Sequence, residues 1–113
     1  MWPFTPPKTG VDISEISRFR THPKESPFLK KVFLESELLY AFSYADPYPH
    51  IAGIFSAKEA ISKALGVPQF PFAEIEISHK DSGAPYALFR GKKLRISVSI
   101  THGKEYACAI AVG

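Results

Sequence analysis

The hydrophobic period of this chain changes at Gly66. Before it, Ala57, Ile61, Ala64 and Leu65 fall at i, i+4, i+7 and i+8, a helix face. After it, Ala73-Glu74-Ile75-Glu76-Ile77-Ser78-His79 and Leu94-Arg95-Ile96-Ser97-Val98-Ser99-Ile100 alternate, as half-buried strands do. Helices come first and strands follow. The pattern predicts an α+β fold, with an N-terminal strand and helices packed on a mostly antiparallel sheet.

Residues 1 to 8 hold three of the ten prolines and read as an extended arm, leaving residues 9 to 113 as a single domain. Thr9 to Ile13 is a short strand. Ser14 to Arg20 starts a helix with Ser14 as its cap, and His22-Pro23 breaks it. Phe28 to Ala45 is helical, with an interruption near Leu34 to Ser36. Asp46-Pro47-Tyr48-Pro49 is a rigid loop, and a long helix runs from about His50 to Leu65, where Gly66 suits a left-handed end. Val67 to Pro71 is a loop and Lys80 to Gly83 a turn. Tyr86 to Phe89 is a strand, Arg90-Gly91-Lys92 a tight turn, and Tyr106 to Val112 the last strand.

The net charge of +3 is too small to argue for nucleic acid, and the aromatics are not interleaved with Lys and Arg as a base-stacking platform requires. It does suit an acidic partner or a phosphorylated ligand. The single cysteine, Cys108, forms no internal disulfide, lies in an apolar run and fits a reducing compartment, so the cytoplasm is expected. No stretch reaches the roughly 20 apolar residues of a membrane span, and the N-terminus lacks a signal-peptide pattern.

Chemistry gathers at a few places. On the long helix Ser56, Glu59 and Lys63 form a second line, three and four residues apart. Glu59 and Lys63 are also correctly ordered for an ordinary surface pair. Asp12 stands between Val11 and Ile13 in an apolar strand, where a carboxylate needs a partner. That partner is either a cap or lysine contact, or Glu59 through a shared cation. Two carboxylates with water and phosphate oxygens are enough for Mg²⁺. Lys63 could reach the same phosphates. Thr101 and His102 offer a hydroxyl and an imidazole at a strand end. His22, His50 and His79 carry no motif of their own. Arg18, Arg20, Lys24, Lys30 and Lys31 form a basic stretch, either a solvated face or a dock for an acidic helical partner.

These pieces, in this order, resemble the 4′-phosphopantetheinyl transferases, most closely the small holo-[acyl-carrier-protein] synthase type. The matching motifs are Gly10-Val11-Asp12-Ile13-Ser14-Glu15-Ile16-Ser17-Arg18-Phe19, Ala52 to Ala60 through Lys63 and Gly66, Ser82-Gly83-Ala84-Pro85, and Ser99-Ile100-Thr101-His102 followed by Tyr106-Ala107. The resemblance implies an enzyme that moves phosphopantetheine from coenzyme A to a serine of an acyl or peptidyl carrier protein, releasing 3′,5′-ADP, as in fatty acid biosynthesis. It implies Asp12 and Glu59 as Mg²⁺ ligands and Lys63 as phosphate-binding. Glu59 and Lys63 would be catalytic, with the serine proton going to Glu59 or to a metal-bound water acting through it. Thr101 and His102 would contact the nucleotide end of coenzyme A, Gly83 and Pro85 would lie near the adenine, and Arg18 would dock the carrier protein. A homotrimer with sites shared between subunits is implied, His102 and the Gly83 loop serving a neighbour's Asp12 and Glu59. The alternative is an impaired member that only binds coenzyme A or the carrier.

The chain departs from the family pattern in three places. Val67 to Pro71 stands where a glycine-rich loop is usual, and Ala84 where a Lys or Arg is common. Only Arg90-Gly91-Lys92-Lys93 connects the strands that a helix normally joins.

Overall fold

The structure, a computed structural model, describes residues 7–67 and 69–113. The expected arm therefore lies outside the described residues for positions 1–6, as does Pro68 of the loop after the long helix. The elements run β1 (Thr9–Glu15), α1 (Pro27–Val32), α2 (Glu35–Phe42), α3 (Tyr48–Leu65), β2 (Ile75–His79), β3 (Pro85–Phe89), β4 (Lys92–Lys93), β5 (Ser97–His102) and β6 (Tyr106–Val112), with 3-10 turns at Ile16–Phe19 and Phe72–Glu74. The class is α+β, as the period change predicts. The strands form two antiparallel sheets, ordered β1-β6-β5 and β2-β3-β4. Lys8 extends the first sheet through a reciprocal backbone pair with Gly113.

Helix α3 is the centre of the molecule. It packs on all three strands of the first sheet and, on its other side, against α2 and β2. Its residues from Ile51 to Lys58 are all buried, so it is not the half-exposed helix that its apolar stripe suggests. Ser56, expected on the polar line, is fully buried. Alternation in the strands supplies the facing surface: Gly10 and Ser14 of β1 and Ala107, Ala109 and Ala111 of β6 are buried, while Val11, Ile13, Tyr106 and Ile110 are exposed on the opposite face. Small residues meet small residues across this seam, since Ala57, Ala60 and Ala64 of α3 are buried too. The approach is closest at Gly10, where an added Cβ would lie 1.9 Å from the Ala60 carbonyl oxygen. Only a residue without a side chain fits there.

A buried ion pair fixes the opposite flank. The Lys58 ammonium lies 2.6 Å from the Glu37 carboxylate, with neither side chain exposed. Lys58 also donates to the carbonyls of Val32 at 2.9 Å and Phe72 at 2.8 Å. Glu37 accepts from the backbone N–H groups of Leu34 at 2.9 Å and Ile77 at 2.8 Å. Burial alone pushes Glu37 up and Lys58 down, toward their neutral forms, and the pair's mutual attraction opposes both shifts.

Several boundaries differ from the sequence expectation for local reasons. β1 continues to Glu15 because Ser14 pairs in register with Ala107, so Ser14 is a strand residue and not a helix cap. The expected helix to Arg20 contracts to the 3-10 turn at Ile16–Phe19. The helical stretch from Phe28 breaks at Phe33–Leu34, where the Glu37 side chain takes the Leu34 N–H and starts α2. α3 begins at Tyr48, two residues before the expected start, with proline in its first turn. It ends at Gly66 with φ of +65°, the left-handed cap the sequence calls for. Leu94 to Ile96 alternate like strand residues but carry the chain from one sheet to the other, and β5 begins only at Ser97. Arg90 and Gly91 both have positive φ, giving the tight turn that the sequence calls for, here in a β3–β4 hairpin. Cys108 is half-buried, on the sheet face away from α3.

Two substitutions test this packing. Gly10→Ala forces β1 off α3 and lowers unfolding stability by about 1–3 kcal/mol, the cost of an overpacked core, read from the denaturation midpoint. Lys58→Met leaves the Glu37 carboxylate buried without its cation and costs about 3–5 kcal/mol. Adding Glu37→Leu to Lys58→Met recovers much of that loss.

Candidate active site

The β1–α3 seam brings together Asp12, Glu59 and Lys63, with Arg18 beside them. Asp12 alternates with Gly10 and Ser14 and therefore leans toward α3. Its carboxylate is held from two sides: Lys63 Nζ lies 3.2 Å from Oδ1, and the Ser14 hydroxyl donates to Oδ2 at 3.2 Å. Behind Ser14, the buried Ser56 hydroxyl donates to Ser14 Oγ at 2.8 Å. A chain of hydroxyls thus runs from the core to the carboxylate and sets its orientation. Lys63 also donates to the Val11 carbonyl at 2.9 Å. The lysine crosses to β1, and the ordinary pair with Glu59 along the helix is not the one that forms.

Glu59 sits one turn before Lys63, half-buried at the same seam. Burial raises its carboxyl above the ordinary range, the Asp12 charge raises it further, and Lys63 and Arg18 pull it back. Asp12, Glu59, Lys63 and Arg18 therefore act on one another electrostatically at one place. Arg18 lies beside it on the 3-10 turn, its guanidinium 4.9 Å from the centre of the Phe55 ring and 5.4 Å from that of Phe19. Two carboxylates at one seam, with Glu59 raised in part by the Asp12 charge, are a donor set that a hard divalent cation would relieve. Among the described residues no group of three or more His, Cys, Asp and Glu could hold a metal.

His102, Gly83 and Pro85 lie elsewhere, around a cavity of about 140 Å³ that Tyr40, His50, Gly53, His79 and Ile100 also line. This is below the roughly 300–1,000 Å³ of a complete small-molecule site. Thr101 and His102 do not act together within one chain. Consecutive strand residues point to opposite faces, so His102 reaches His50 on the α3 side. Thr101 lies exposed on the other face with Val11 and Ile13.

A family model for the 4′-phosphopantetheinyl transferase superfamily matches residues 8–111. The chain belongs to the 4′-phosphopantetheinyl transferase superfamily. It is 42% identical to the holo-[acyl-carrier-protein] synthase of Thermoanaerobacter sp. (strain X514), over 92% of this chain and 86% of that protein. Among solved structures, the Bacillus anthracis holo-(acyl-carrier-protein) synthase in complex with CoA (3′,5′-ADP) aligns with a TM-score of 0.79 at 29% identity, covering 96% of each chain. The Helicobacter pylori holo-[acyl-carrier-protein] synthase in complex with coenzyme A aligns with a TM-score of 0.79 at 29% identity, covering 93% of this chain and 99% of that one.

For a transferase of this superfamily, the sequence reading missed four contributors. Ser14 was detectable, because alternation places it on the same face as Asp12. Ser56 was not, because its polar neighbours on the helix line suggested exposure. His50 and His79 come from separate elements and join His102 only in the fold. Arg18 is at the edge of the carboxylate site.

The electrostatics predict a measurable coupling. In metal-free protein, Asp12→Asn removes the like charge and lowers the Glu59 carboxyl toward its ordinary range, leaving the contribution of burial. A ¹³C titration of Glu59 in both proteins reads this; an unchanged value would mean the two carboxylates do not share a site.

Proposed function

We propose that this protein transfers 4′-phosphopantetheine from coenzyme A to a serine of an acyl carrier protein, releasing 3′,5′-ADP. The observation that carries the reading is the gathering of Asp12, Glu59 and Lys63 at the β1–α3 seam in a chain of this superfamily. Asp12 and Glu59 would hold Mg²⁺. When bound, the ion supplies positive charge that offsets the charge developing on the leaving nucleotide. Lys63 binds a phosphate oxygen and adds a second cation. The serine oxygen attacks the β-phosphorus, the bond to the 3′,5′-ADP oxygen breaks, and the serine proton moves to Glu59. Glu59 lies one helical turn before Lys63 at the same seam, which supports that role by placing a carboxylate beside the phosphate-binding lysine.

The assembly we propose is a trimer with shared sites. One chain holds Asp12 and Lys63 in one depression and His102, Gly83 and Pro85 in another, so a coenzyme reaching both would bridge two subunits. The face of the first sheet turned away from α3 supports this, since it exposes Val11, Ile13 (64% exposed), Tyr106 and Ile110 together. Thr101 on that face would meet the neighbour, and Arg18 at the rim would receive an acidic carrier. Among the described residues no helix is long and apolar enough to cross a membrane. The lone cysteine suits the cytoplasm. The product, a loaded carrier protein, would feed fatty acid biosynthesis.

Intact-mass spectrometry of apo acyl carrier protein incubated with the protein, coenzyme A and Mg²⁺ tests the activity. One phosphopantetheine is added, and EDTA abolishes the gain. Glu59→Gln lowers turnover by about 10²–10⁴-fold, the usual range for a lost acid–base group, without unfolding the chain. No mass gain with any carrier would leave a binding protein. Ile13→Asp breaks the trimer in light scattering and lowers turnover with it; a monomer at full activity would refute shared sites.

A further inference from the structure

The two oxygens of Asp12 have partners of opposite kinds. Oδ1 meets Lys63 Nζ at 3.2 Å, at the end of a long side chain that is 54% exposed. Oδ2 accepts from the Ser14 hydroxyl, also at 3.2 Å, and Ser14 is buried. This second contact is directed from the core. An ionised carboxylate only accepts, so the single Ser14 proton is committed to it. The Ser14 oxygen is left to accept, and the Ser56 hydroxyl donates to it at 2.8 Å. Ser56 has no exposed surface, so water does not compete for that bond. Packing does not call for a hydroxyl at this seam, where Ala57, Ala60 and Ala64 are all buried alanines, and alanine is the better helix former. Withdrawing the serines from Asp12 would leave buried hydroxyls unpaired, whereas Lys63 can turn to solvent. One oxygen of Asp12 is therefore held from inside and the other is open to exchange of partners.

This asymmetry bears on which cation the site prefers, and the argument rests on the reading of Asp12 and Glu59 as a metal-holding pair. Mg²⁺ is small, demands near-octahedral geometry and binds through one or two carboxylates with water and phosphate oxygens. Ca²⁺ takes about six to eight oxygens and readily uses both oxygens of one carboxylate. We infer that Ser14 and Ser56 set the cation preference: by engaging Oδ2 from the core they leave Asp12 one oxygen to offer, which favours Mg²⁺ over Ca²⁺. They are positioning residues, acting through Asp12 and touching neither cation nor coenzyme.

Cation competition tests this on the full chain with coenzyme A and no carrier protein. Mn²⁺ is bound first, and its displacement by Mg²⁺ or by Ca²⁺ is read from the electron paramagnetic resonance of the free ion. Asp12→Asn gives the background from the coenzyme itself. The unaltered protein should bind Mg²⁺ more tightly than Ca²⁺. Ser14→Ala should weaken Mg²⁺ about tenfold, the lower end of the usual range for a partner behind a metal ligand, and weaken Ca²⁺ less, so that the ratio falls. Ser56→Ala should move the ratio the same way by a smaller factor. The double variant should match Ser14→Ala, because Ser56 acts only through Ser14. Ser14→Thr keeps the hydroxyl and should restore the ratio; a general loss of packing would weaken both cations alike. An unaltered protein with no preference for Mg²⁺ would overturn the inference, and that comparison stands even if a variant misfolds. Folded Ser14→Ala and Ser56→Ala proteins with an unchanged ratio would overturn it too. In either case, Mg²⁺-dependent transfer to a carrier protein would leave the transferase reading intact. Absence of cation binding together with absence of transfer would overturn both.

Discussion

The Glu37–Lys58 pair is the constraint that the remaining architecture is built around. A charged pair with no solvent contact is costly to bury, and it persists only if every donor and acceptor is used. Here the ammonium's three hydrogen bonds go to α2, to the end of α1 and to the turn before β2, while the carboxylate closes the start of α2 and the β2 backbone. Four segments are thus tied to one point on α3. A hydrophobic replacement could fill the volume, but it could not specify which carbonyls and N–H groups meet. The pair's contribution is therefore to geometry more than to net stability.

That geometry reaches the candidate site because Lys58 and Glu59 are consecutive. Fixing Lys58 on one side of α3 fixes the rotation of the helix, and rotation decides where Glu59 faces. The Gly10–Ala60 contact fixes the other coordinate, the distance between helix and strand. Were β1 a side chain's thickness further away, Lys63 could not bond both the Val11 carbonyl and Asp12. The buried serines add direction to this placement. A carboxylate on a strand can rotate, but one accepting from a hydroxyl that is itself held by a core hydroxyl has fewer choices.

The sequence makes some of this readable and conceals the rest, for physical reasons. The long helix and its Gly66 end are local: period and cap are written in neighbouring residues. So is the tight turn at Arg90-Gly91. The complete burial of α3 from Ile51 to Lys58 is not local, because Lys58 and Ser56 read as polar until their partners, at Glu37 and Ser14, are known. Alternation correctly separates the two faces of β1 and β6, yet over Leu94 to Ile96 it marks a crossing between sheets. Alternating burial is the same whether the next residue pairs or leaves. Asp12 was readable as an oddity, an acid in an apolar strand. The histidine cavity was not, because its three rings belong to three elements and no spacing links them.

The short connection between β3 and β5 bears on function through what it leaves in place. The cavity walls come from α2, the first turns of α3, the ends of β2 and β5 and the loop into β3. None of these depends on what joins β4 to β5. The Arg90–Gly91 hairpin instead keeps β3 paired with β4 and returns the chain to Leu94, whose N–H bonds the Ala87 carbonyl. Leu94 and Ile96 then pack against the core on the way to β5, and Gly53 lets Ile100 come against α3. Position of His102 follows from that contact, two residues further along the same face. The short connection is thus compatible with the register that brings His102 to His50, and forming this cavity requires no helix between β3 and β5.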